Sequence, residues 1–295
     1  MWSVSLQKYI ALLKTVELGS ISLAAEQMGY TQPAVSRMIS DLEKEWQVEL
    51  LRRSRAGLEV SSVCQRILPI LRTICADCEE LEFTINEHHG VHTGLVRVGC
   101  FTSVADMWIP GLLKSFQALY PNIEFDLINS ETYAEIEDWV RHGKVDCGFV
   151  SLPTTNDLET RFLMRDELVA VLPTDHPLVD APCFPVKQLE GAPLIKLREK
   201  EDYEVARFLD QIPYTPSARY EVSSDHTILS MVECGLGISI THSLIAETDR
   251  YKVVCKRFDK GQHRDIAIAT AKNARITSAT QLFIDHVCNN ITNEK

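Results

Sequence analysis

The chain has 295 residues, of which 45% are hydrophobic, so it is long enough for two or three globular units with their own cores. Its 30 basic and 41 acidic side chains give a net charge of −11, which argues against a nucleic-acid partner because phosphate binding requires clustered Lys and Arg. However, residues 1–62 contain seven basic and seven acidic side chains, so the excess of acid lies downstream. The N-terminal unit is neutral and remains compatible with a polyanionic partner.

The cysteines and the first residues indicate the compartment. Nine cysteines are odd in number and scattered through apolar stretches, unlike the dense pairs of a small secreted domain, so we expect reduced thiols. Residues 1–19 carry Lys8, Lys14 and Glu17 in an amphipathic pattern that is not typical of a signal peptide. No apolar run approaches the roughly 20 residues that a membrane helix needs. We predict a cytoplasmic protein with no membrane partner.

The first sixty residues predict three helices. Apolar residues recur at helical spacing from Leu6 to Val16, between a candidate N-cap at Ser5 and a stop at Gly19. A second helix is expected over 23–28, after Ser22, and a third from Gln32 to about Trp46. Two helices joined by a short turn that contains glycine match a helix-turn-helix, although the same spacing fits any small helical bundle.

The third helix has two different faces. Its apolar stripe consists of Val35, Met38, Ile39, Leu42 and Trp46. The opposite face carries Gln32, Ser36, Arg37 and Ser40, and Gln and Arg side chains bind base edges in the major groove. A merely solvated helix shows the same pattern, so the residue types alone leave both readings open.

Two segments carry a resemblance to a known family. Residues 19–25 and 31–37, followed by 50–53 and 57–61, resemble the signature of LysR-type transcriptional regulators. This resemblance implies a winged helix-turn-helix over residues 1–62 that binds double-stranded operator DNA. The implied DNA contacts are Thr31, Gln32, Pro33, Ser36 and Arg37 on the helix, with Arg53 and Arg55 on the wing. Arg55 is expected to supply the wing charge because Ala56 stands where the family usually has a basic residue.

A connecting helix is predicted over residues 63–89. Its apolar residues are spaced 4, 3, 4, 3, 4 and are Ile67, Leu71, Ile74, Cys78, Leu81 and Ile85. This heptad period favours pairing with a second helix, whereas a lone amphipathic helix on its own domain is the alternative. The resemblance implies a homodimer through this helix and a homotetramer as the larger assembly.

Two motifs near this helix have metal-binding or redox alternatives. Cys75 and Cys78 form a Cys-x-x-Cys, but they lie inside the predicted helix and have no second cysteine pair nearby, so packing explains them better. His88, His89 and His92 cluster where the helix should end and a linker begin. We predict neither a metal nor a cofactor.

After Gly94, short β-type runs, among them 168–172 and 194–197, alternate with helical ones. This alternation predicts a mostly parallel sheet flanked by helices. The segments around 116–121, 143–146, 171–178 and 235–239 resemble the effector domain of the same family. That domain has the fold of periplasmic binding proteins. The implied fold class is α/β overall, with an effector domain over 94–295. Subdomain I is expected at 94–164 and 268–295, and subdomain II at 165–267. The final strand and helix, about 264–270 and 278–290, should return to subdomain I.

Enzyme signatures are missing from the sequence. The Gly235-Leu-Gly237 segment lacks the third glycine of a dinucleotide fingerprint, and no P-loop is present. A stand-alone solute-binding protein would need export. A redox-sensing regulator would need reactive cysteines, for which Cys183, Cys234 and Cys255 are candidates with apolar neighbours. We therefore predict a regulator, not an enzyme, that responds to a small molecule.

The effector site is predicted in the cleft between the two subdomains. Open α/β sheets bind ligands beyond the carboxyl ends of their strands. The candidates are Phe101, Thr102 and Ser103 after the first strand, Asn129 and Ser130 after the second, and Ser224 from subdomain II. Hydroxyls at a helix start favour a small organic anion, although they often serve only as helix caps.

Overall fold

The structure, a computed structural model, describes residues 5–54, 57–88, 92–130, 132–198, 203–213, 216, 218–272 and 274–291. The N-terminal unit combines short helices with a two-stranded hairpin and continues into a long helix. Its elements are α1 (Leu6–Leu18), α2 (Ile21–Gln27), α3 (Gln32–Trp46), β1 (Leu51–Ser54), β2 (Gly57–Val60) and α4 (Ser62–His88). The antiparallel hairpin β1–β2 sets Leu51 opposite Val60 and forms the wing.

Helices α1 and α3 agree with the prediction. Helix α4 begins one residue before the predicted 63, its predicted end at 89 lies outside the described residues, and α2 differs. This helix begins at Ile21, and the Leu23 N–H donates to Ser20 Oγ over 3.4 Å, so Ser20 caps it instead of Ser22. Gly19 ends α1 with a φ of 60°, a left-handed conformation that glycine adopts without strain. Thr31 precedes α3 but makes no side-chain capping bond.

The apolar residues of the connecting helix α4 are buried in one part and exposed in another. Near its start, Leu68 and Leu71 are buried in the core of the N-terminal unit, where Leu71 is 4% exposed. Ile70, Leu81 and Ile85 are instead 59%, 61% and 52% exposed. The predicted seam is therefore wrong at Leu71, which packs inside its own chain, and Ile70 lies on the exposed stripe in its place.

The effector domain is a mixed sheet with helices on its faces. In chain order its elements are β3 (Thr93–Phe101), α5 (Thr102–Met107), α6 (Ile109–Leu119), β4 (Asn122–Ser130), α7 (Tyr133–Arg141), β5 (Cys147–Leu152), β6 (Leu158–Pro173), β7 (Leu194–Leu197), α8 (Tyr203–Asp210), β8 (Ala218–Val222), α9 (Asp225–Glu233), β9 (Ile238–His242), α10 (Ser243–Ala246), β10 (Val253–Arg257), β11 (His263–Ala271) and α11 (Ser278–Ile291). A short 3-10 turn covers Val186–Leu189.

The strand order is β4-β3-β5-β11-β6-β9-β7-β8, with β10 also on β6. Strands β3, β4 and β5 pair parallel at one end, and β7, β8 and β9 pair parallel at the other. The long strands β6 and β11 pair antiparallel and connect the two ends. The predicted parallel pairing is confirmed for β3 with β4 and β5 and for β7 with β8 and β9. The antiparallel pairs of β6 with β9, β10 and β11, and of β11 with β5, were not predicted.

The hydrophobic cores follow the two halves of the sheet. One core combines residues of β3, α6 and β5 with Ile266 of β11 and Phe283 of α11. The other half packs separate clusters on the two faces of its sheet, around Phe184 and around Leu229. The expected subdomain division, 94–164 with 268–295 and 165–267, stays a prediction, and the core of the first half also includes Ile266 and Ala267 of β11. Over the part of the chain that is described, no helix has the length and apolarity to cross a bilayer.

Helix α4 also docks on the effector domain. Phe83 is buried in the core of subdomain I. The Glu80 carboxylate accepts hydrogen bonds from Ser278 N (2.7 Å) and Ser278 Oγ (2.6 Å) at the start of α11. Arg97 of β3 reaches Glu79 at 3.4 Å. Since α4 also packs into the N-terminal core, it connects the two parts of the molecule directly.

Candidate effector and DNA-binding sites

A cavity of about 280 Å³ lies between the two subdomains. Subdomain I contributes the end of β3 and the starts of α5 and α7. Subdomain II contributes the ends of β7 and β9 and the segment between β8 and α9. The lining residues are Phe101, Thr102, Ser103, Tyr133, Leu197, Arg198, Ser223, Ser224, Asp225, His226, Thr241, His242, Ile245 and Arg264.

Arg264, at the start of β11, is a buried cation in the wall of this cavity. Its side chain is 5% exposed, and its Nε and Nη2 donate to Asp166 Oδ2 over 2.9 and 2.6 Å. Nη1 donates to the Tyr133 hydroxyl and Nη2 to Ser103 Oγ, each over 2.7 Å. Burial opposes the charge, but Tyr133 and Asp166 outweigh burial and raise the pKa of Arg264, so it stays charged.

Asp166 of β6 is fully buried and uses both of its oxygens. Oδ2 accepts from Arg264, while Oδ1 accepts from Ser243 Oγ and Leu244 N, both over 2.9 Å, at the start of α10. Because the Ser103 hydroxyl accepts from Arg264, its own proton is free to be donated to another acceptor. The Arg264–Asp166 pair therefore positions the hydroxyls of Ser103 and Tyr133, both of subdomain I, beside the cavity.

His242, at the end of β9, is a second buried polar group in the lining. It is 7% exposed, and its Nε2 has no hydrogen-bond partner among the described residues. Burial, and then the nearby charge of Arg264, lower the pKa of His242 well below its ordinary value of 6.5. The ring is neutral at physiological pH.

One polar contact crosses the cleft beside the cavity, and two others support it within subdomain II. His226 of α9 lies with Nε2 at 2.9 Å from Asp106 Oδ2 of α5, and its Nδ1 lies 3.1 Å from the Tyr251 hydroxyl. Thr241 Oγ1 donates to Asp225 Oδ1 over 3.3 Å. The two subdomains are thus joined by a polar contact at the rim of the cavity.

The other candidate site is the polar face of α3. Gln32, Pro33 and Arg37 are exposed and Ser36 is half-buried, whereas Val35 is fully buried. The remaining buried residues of this helix, Ile39 and Leu42, also face the core, so the predicted division into two faces is confirmed. Thr31, just before α3, is exposed as well. Arg55 lies outside the described residues, and Arg53 is described only by its place in β1.

Two family models match the chain. The model of the bacterial regulatory helix-turn-helix protein, lysR family, matches residues 6–65, and that of the LysR substrate binding domain matches residues 89–290. The chain belongs to the LysR family. This LysR-type regulator is therefore a DNA-binding transcriptional regulator with an effector-binding domain, as the sequence predicted.

Curated relatives cover almost the whole regulator. The probable regulator LrrA of Synechococcus elongatus is 33% identical over 281 residues, which are 93% of each chain. The uncharacterized regulator YvbU of Bacillus subtilis is 28% identical over 276 residues, 92% of this chain and 94% of the relative. Both relatives are described as transcriptional regulators, not as enzymes.

Solved structures share the fold. A full-length OxyR variant of Pseudomonas aeruginosa has a TM-score of 0.76 at 20% identity, with both chains fully covered. CbnR complexed with its target DNA has a TM-score of 0.60 at 18% identity, covering 96% of this chain and 99% of CbnR. The Synechocystis CcmR regulatory domain in complex with 2-PG has a TM-score of 0.61 at 24% identity, covering 68% of this chain and 99% of CcmR.

The predicted effector residues of the LysR-type regulator fall into two groups. Phe101, Thr102, Ser103 and Ser224 line the cavity, whereas Asn129 and Ser130 do not. Asn129 is exposed and accepts a hydrogen bond from Cys100 Sγ.

Ser130 is committed to local hydrogen bonds. It donates to Glu135 over 2.6 Å and accepts from Thr132 N over 3.0 Å, ahead of α7. Sequence reasoning missed Arg264 and His242, because a charged residue at a strand end gives no local signal for the partner that it meets in three dimensions.

The cysteines of the regulator are free thiols, and several lie in environments that oppose ionisation. Burial raises the pKa of Cys255 and of Cys75 to about 11, and that of Cys100 to about 12. Thiol sensing requires the thiolate, so these shifts disfavour it at those positions. Among the described residues, no three His, Cys, Asp or Glu side chains are grouped to bind a metal ion.

Proposed function

We propose that a small organic anion binds in the cavity between the subdomains and controls operator binding or activation by this regulator. The observation that carries the proposal is the cluster around Arg264, a charged guanidinium in contact with Ser103, at a cavity lined by both subdomains. A second cation, Arg198, lines the same cavity. Guanidinium and hydroxyl donors suit carboxylate or phosphate oxygens. The CcmR regulatory domain, which shares this fold, is described in complex with 2-PG.

Binding there would change the relation between the subdomains. The cavity wall comes from both of them, and the contact between Asp106 and His226 crosses the same cleft. A ligand that contacts both walls favours the arrangement in which both are in reach. Helix α4, docked on subdomain I through Glu80, would pass the change to the DNA-binding unit.

We also propose that α3 reads the operator. Thr31, Gln32, Pro33, Ser36 and Arg37 are the expected base and backbone contacts. Arg53 and Arg55 are the expected wing contacts to phosphate. The exposure of Gln32, Pro33 and Arg37 supports this assignment. CbnR, a protein of the same fold, is described with its target DNA.

The regulator is proposed to act as a homodimer through α4, with a homotetramer as the larger assembly. One apolar stripe of α4 consists of the exposed Ile70, Leu81 and Ile85 and the half-buried Ile74 and Cys78. These residues follow the spacing 4, 4, 3, 4 and occupy one side of the helix. Large apolar side chains that are open to solvent in a row favour pairing with a second copy of the helix.

A thermal-shift screen of small organic acids tests the effector proposal. A ligand that binds only the folded state raises the melting temperature by mass action. Thr102→Val combined with Ser103→Ala removes two cavity hydroxyls and should raise the Kd of the stabilising acid about tenfold or more, since hydrogen bonds to charged groups contribute about 1.5–3 kcal/mol each. Asn129→Ala, outside the cavity, is the matched control and should keep the affinity. Full affinity in the double variant would show that the site is wrong.

A further inference from the structure

A second cavity, of about 240 Å³, lies where the connecting helix meets the effector domain. It is separate from the cavity between the subdomains. Its walls come from α4, from the turn between α7 and β5, and from the segment between β11 and α11. The lining residues are Pro69, Arg72, Thr73, Ala76, Val140, Arg141, His142, Gly143, Val145, Asp146, Ala271, Lys272, Ala274, Arg275, Ile276 and Thr277.

The lining of this junction cavity is positively charged. It includes the side chains of four Lys or Arg residues and one carboxylate, that of Asp146. Asp146 is committed to Arg97, whose backbone N–H donates to Asp146 Oδ2 over 2.8 Å. Two of the cations also have carboxylate partners: Arg141 pairs with Asp138 and Asp157, and Arg275 pairs with Asp77.

Arg72 is the unusual cation of the group. Its Nε is buried and has no hydrogen-bond partner among the described residues. Its aliphatic part packs against Gly143, where an added Cβ would lie 2.7 Å from Arg72 Cδ. Burial lowers the pKa of Arg72, an effect that nearby Glu17 opposes and that Arg97 reinforces. Among the described residues, Arg72 Nε is thus buried without an acceptor, and Glu17 is the nearby carboxylate that favours the charge of the guanidinium.

Lys272 lies across the same cavity. Its backbone N–H donates to the Asp157 carbonyl. Lys272 is exposed, lines the cavity and forms no ion pair among the described residues. One residue with an ammonium group and one with a guanidinium group thus line the same small cavity. Both groups bind oxyanions, the guanidinium through its planar fork and the ammonium as a point charge.

We propose that the junction cavity is a binding site for a small phosphate-like oxyanion, held between Arg72 of the connecting helix and Lys272 of the effector domain. The volume lies below the roughly 300–1,000 Å³ of sites for drug-sized ligands, so a small ion fits better than a large metabolite. Since Leu71, beside Arg72, is buried in the N-terminal core, a bound oxyanion would stabilise the docking of the DNA-binding unit on the effector domain.

Inorganic phosphate, with sulfate in parallel, tests this site on the full chain in a buffer free of both ions. Binding is measured by equilibrium dialysis with labelled phosphate and by thermal unfolding, with sodium chloride keeping the ionic strength constant. Phosphate should raise the melting temperature above that in chloride. Arg72→Gln and Lys272→Gln should each raise the phosphate Kd about tenfold or more, as expected for loss of a charged hydrogen bond.

Two control variants distinguish the junction cavity from the effector cavity and from general ionic binding. Lys114→Gln removes an exposed lysine of α6 outside the cavity and should leave the phosphate Kd unchanged. Thr102→Val with Ser103→Ala alters only the effector cavity and should also leave it unchanged. Because Arg72 packs on Gly143, Lys272→Gln tests the site without disturbing that contact.

The proposal is overturned if phosphate stabilises no better than chloride, or if both Arg72→Gln and Lys272→Gln keep the wild-type Kd. Equal loss in Lys114→Gln would show general ionic binding and overturn it as well. Phosphate binding that disappears in the Thr102/Ser103 variant and persists in the Lys272 variant would place the ion in the effector cavity, which overturns the junction site and leaves the effector proposal standing.

Discussion

Replacing Asp166 by Asn should strongly destabilise the effector domain, although the two side chains have almost the same shape. All four groups around Asp166 are donors: Arg264 Nε and Nη2 at one oxygen, and Ser243 Oγ and Leu244 N at the other. An Asn side chain has one accepting oxygen and one NH₂ group, which only donates. If the NH₂ faces Arg264, both guanidinium donors lose their acceptor. If it faces α10 instead, the Leu244 N–H loses its acceptor, whereas the Ser243 hydroxyl can turn and accept from the NH₂.

The structure sets the size of this effect. If the amide NH₂ faces Arg264, two charge-assisted bonds are lost, at about 1.5–3 kcal/mol each. In either orientation of the amide, the guanidinium, 5% exposed, is left without a counter-charge. Removing one partner of a buried ion pair costs about 3–5 kcal/mol, and we expect a loss of unfolding free energy in that range. An anionic effector should bind this variant more tightly than the wild type, because Asp166 no longer compensates the charge of Arg264.

Urea unfolding of the wild type and the variant measures the loss. Asp265→Asn is the matched control, since Asp265 pairs with Arg165 at 3.0 Å on the same strands but at the surface, where Arg165 is 55% exposed. An exposed pair contributes about 0–1 kcal/mol. If Asp166→Asn lost no more stability than Asp265→Asn, the buried pair would not have the structural role assigned to it.

Three further predictions concern DNA, assembly and pH. Arg37→Ala should remove about 1–3 kcal/mol of discrimination between operator and scrambled duplex in a gel shift, with Lys44→Ala as control, and undiminished discrimination would contradict the assignment. Leu81→Lys with Ile85→Lys should place charges in the exposed stripe of α4 and split the dimer, whereas an unchanged mass in light scattering would rule this contact out. Unfolded His242 binds a proton near its ordinary pKa of 6.5 and the folded, buried ring does not, so stability should fall as pH drops below that value, by up to about 1.4 kcal/mol per pH unit. His242→Gln should remove this contribution to the slope in urea unfolding at several pH values, and an identical slope in both proteins would refute it.

Local sequence patterns were sufficient to predict many helices and strands, in both the N-terminal unit and the effector domain. Helix α3 begins at Gln32 and ends at Trp46 as predicted, because its apolar stripe and Pro33 in the first turn are signals contained within the helix. Strand β7 also covers the predicted residues 194–197. Strand β6 was predicted only over 168–172 but begins at Leu158, because its first half has exposed residues and lacks a continuous apolar run.

The seam of α4 shows where periodicity stops being informative. Leu71 fits the heptad spacing as well as Ile70 fits the neighbouring position, and both are apolar. Which of the two is exposed depends on where the N-terminal unit packs, and this unit covers Leu71 and leaves Ile70 open. A periodic pattern predicts the helix and its apolar face. It does not predict whether a given part of that face packs on its own chain or stays exposed.

The sequence by itself determined the family, the order of the elements and the part of the cavity that follows the first strand, Phe101 to Ser103, because these depend on motifs and on residues that are neighbours in the chain. Only the tertiary structure decided the charged centre of the site. Arg264 and Asp166 are 98 residues apart and face each other through the antiparallel register of β11 and β6. The sequence around each residue does not predict its partner. A buried charge is stabilised by the group that the fold places opposite it, and that group is distant in the chain.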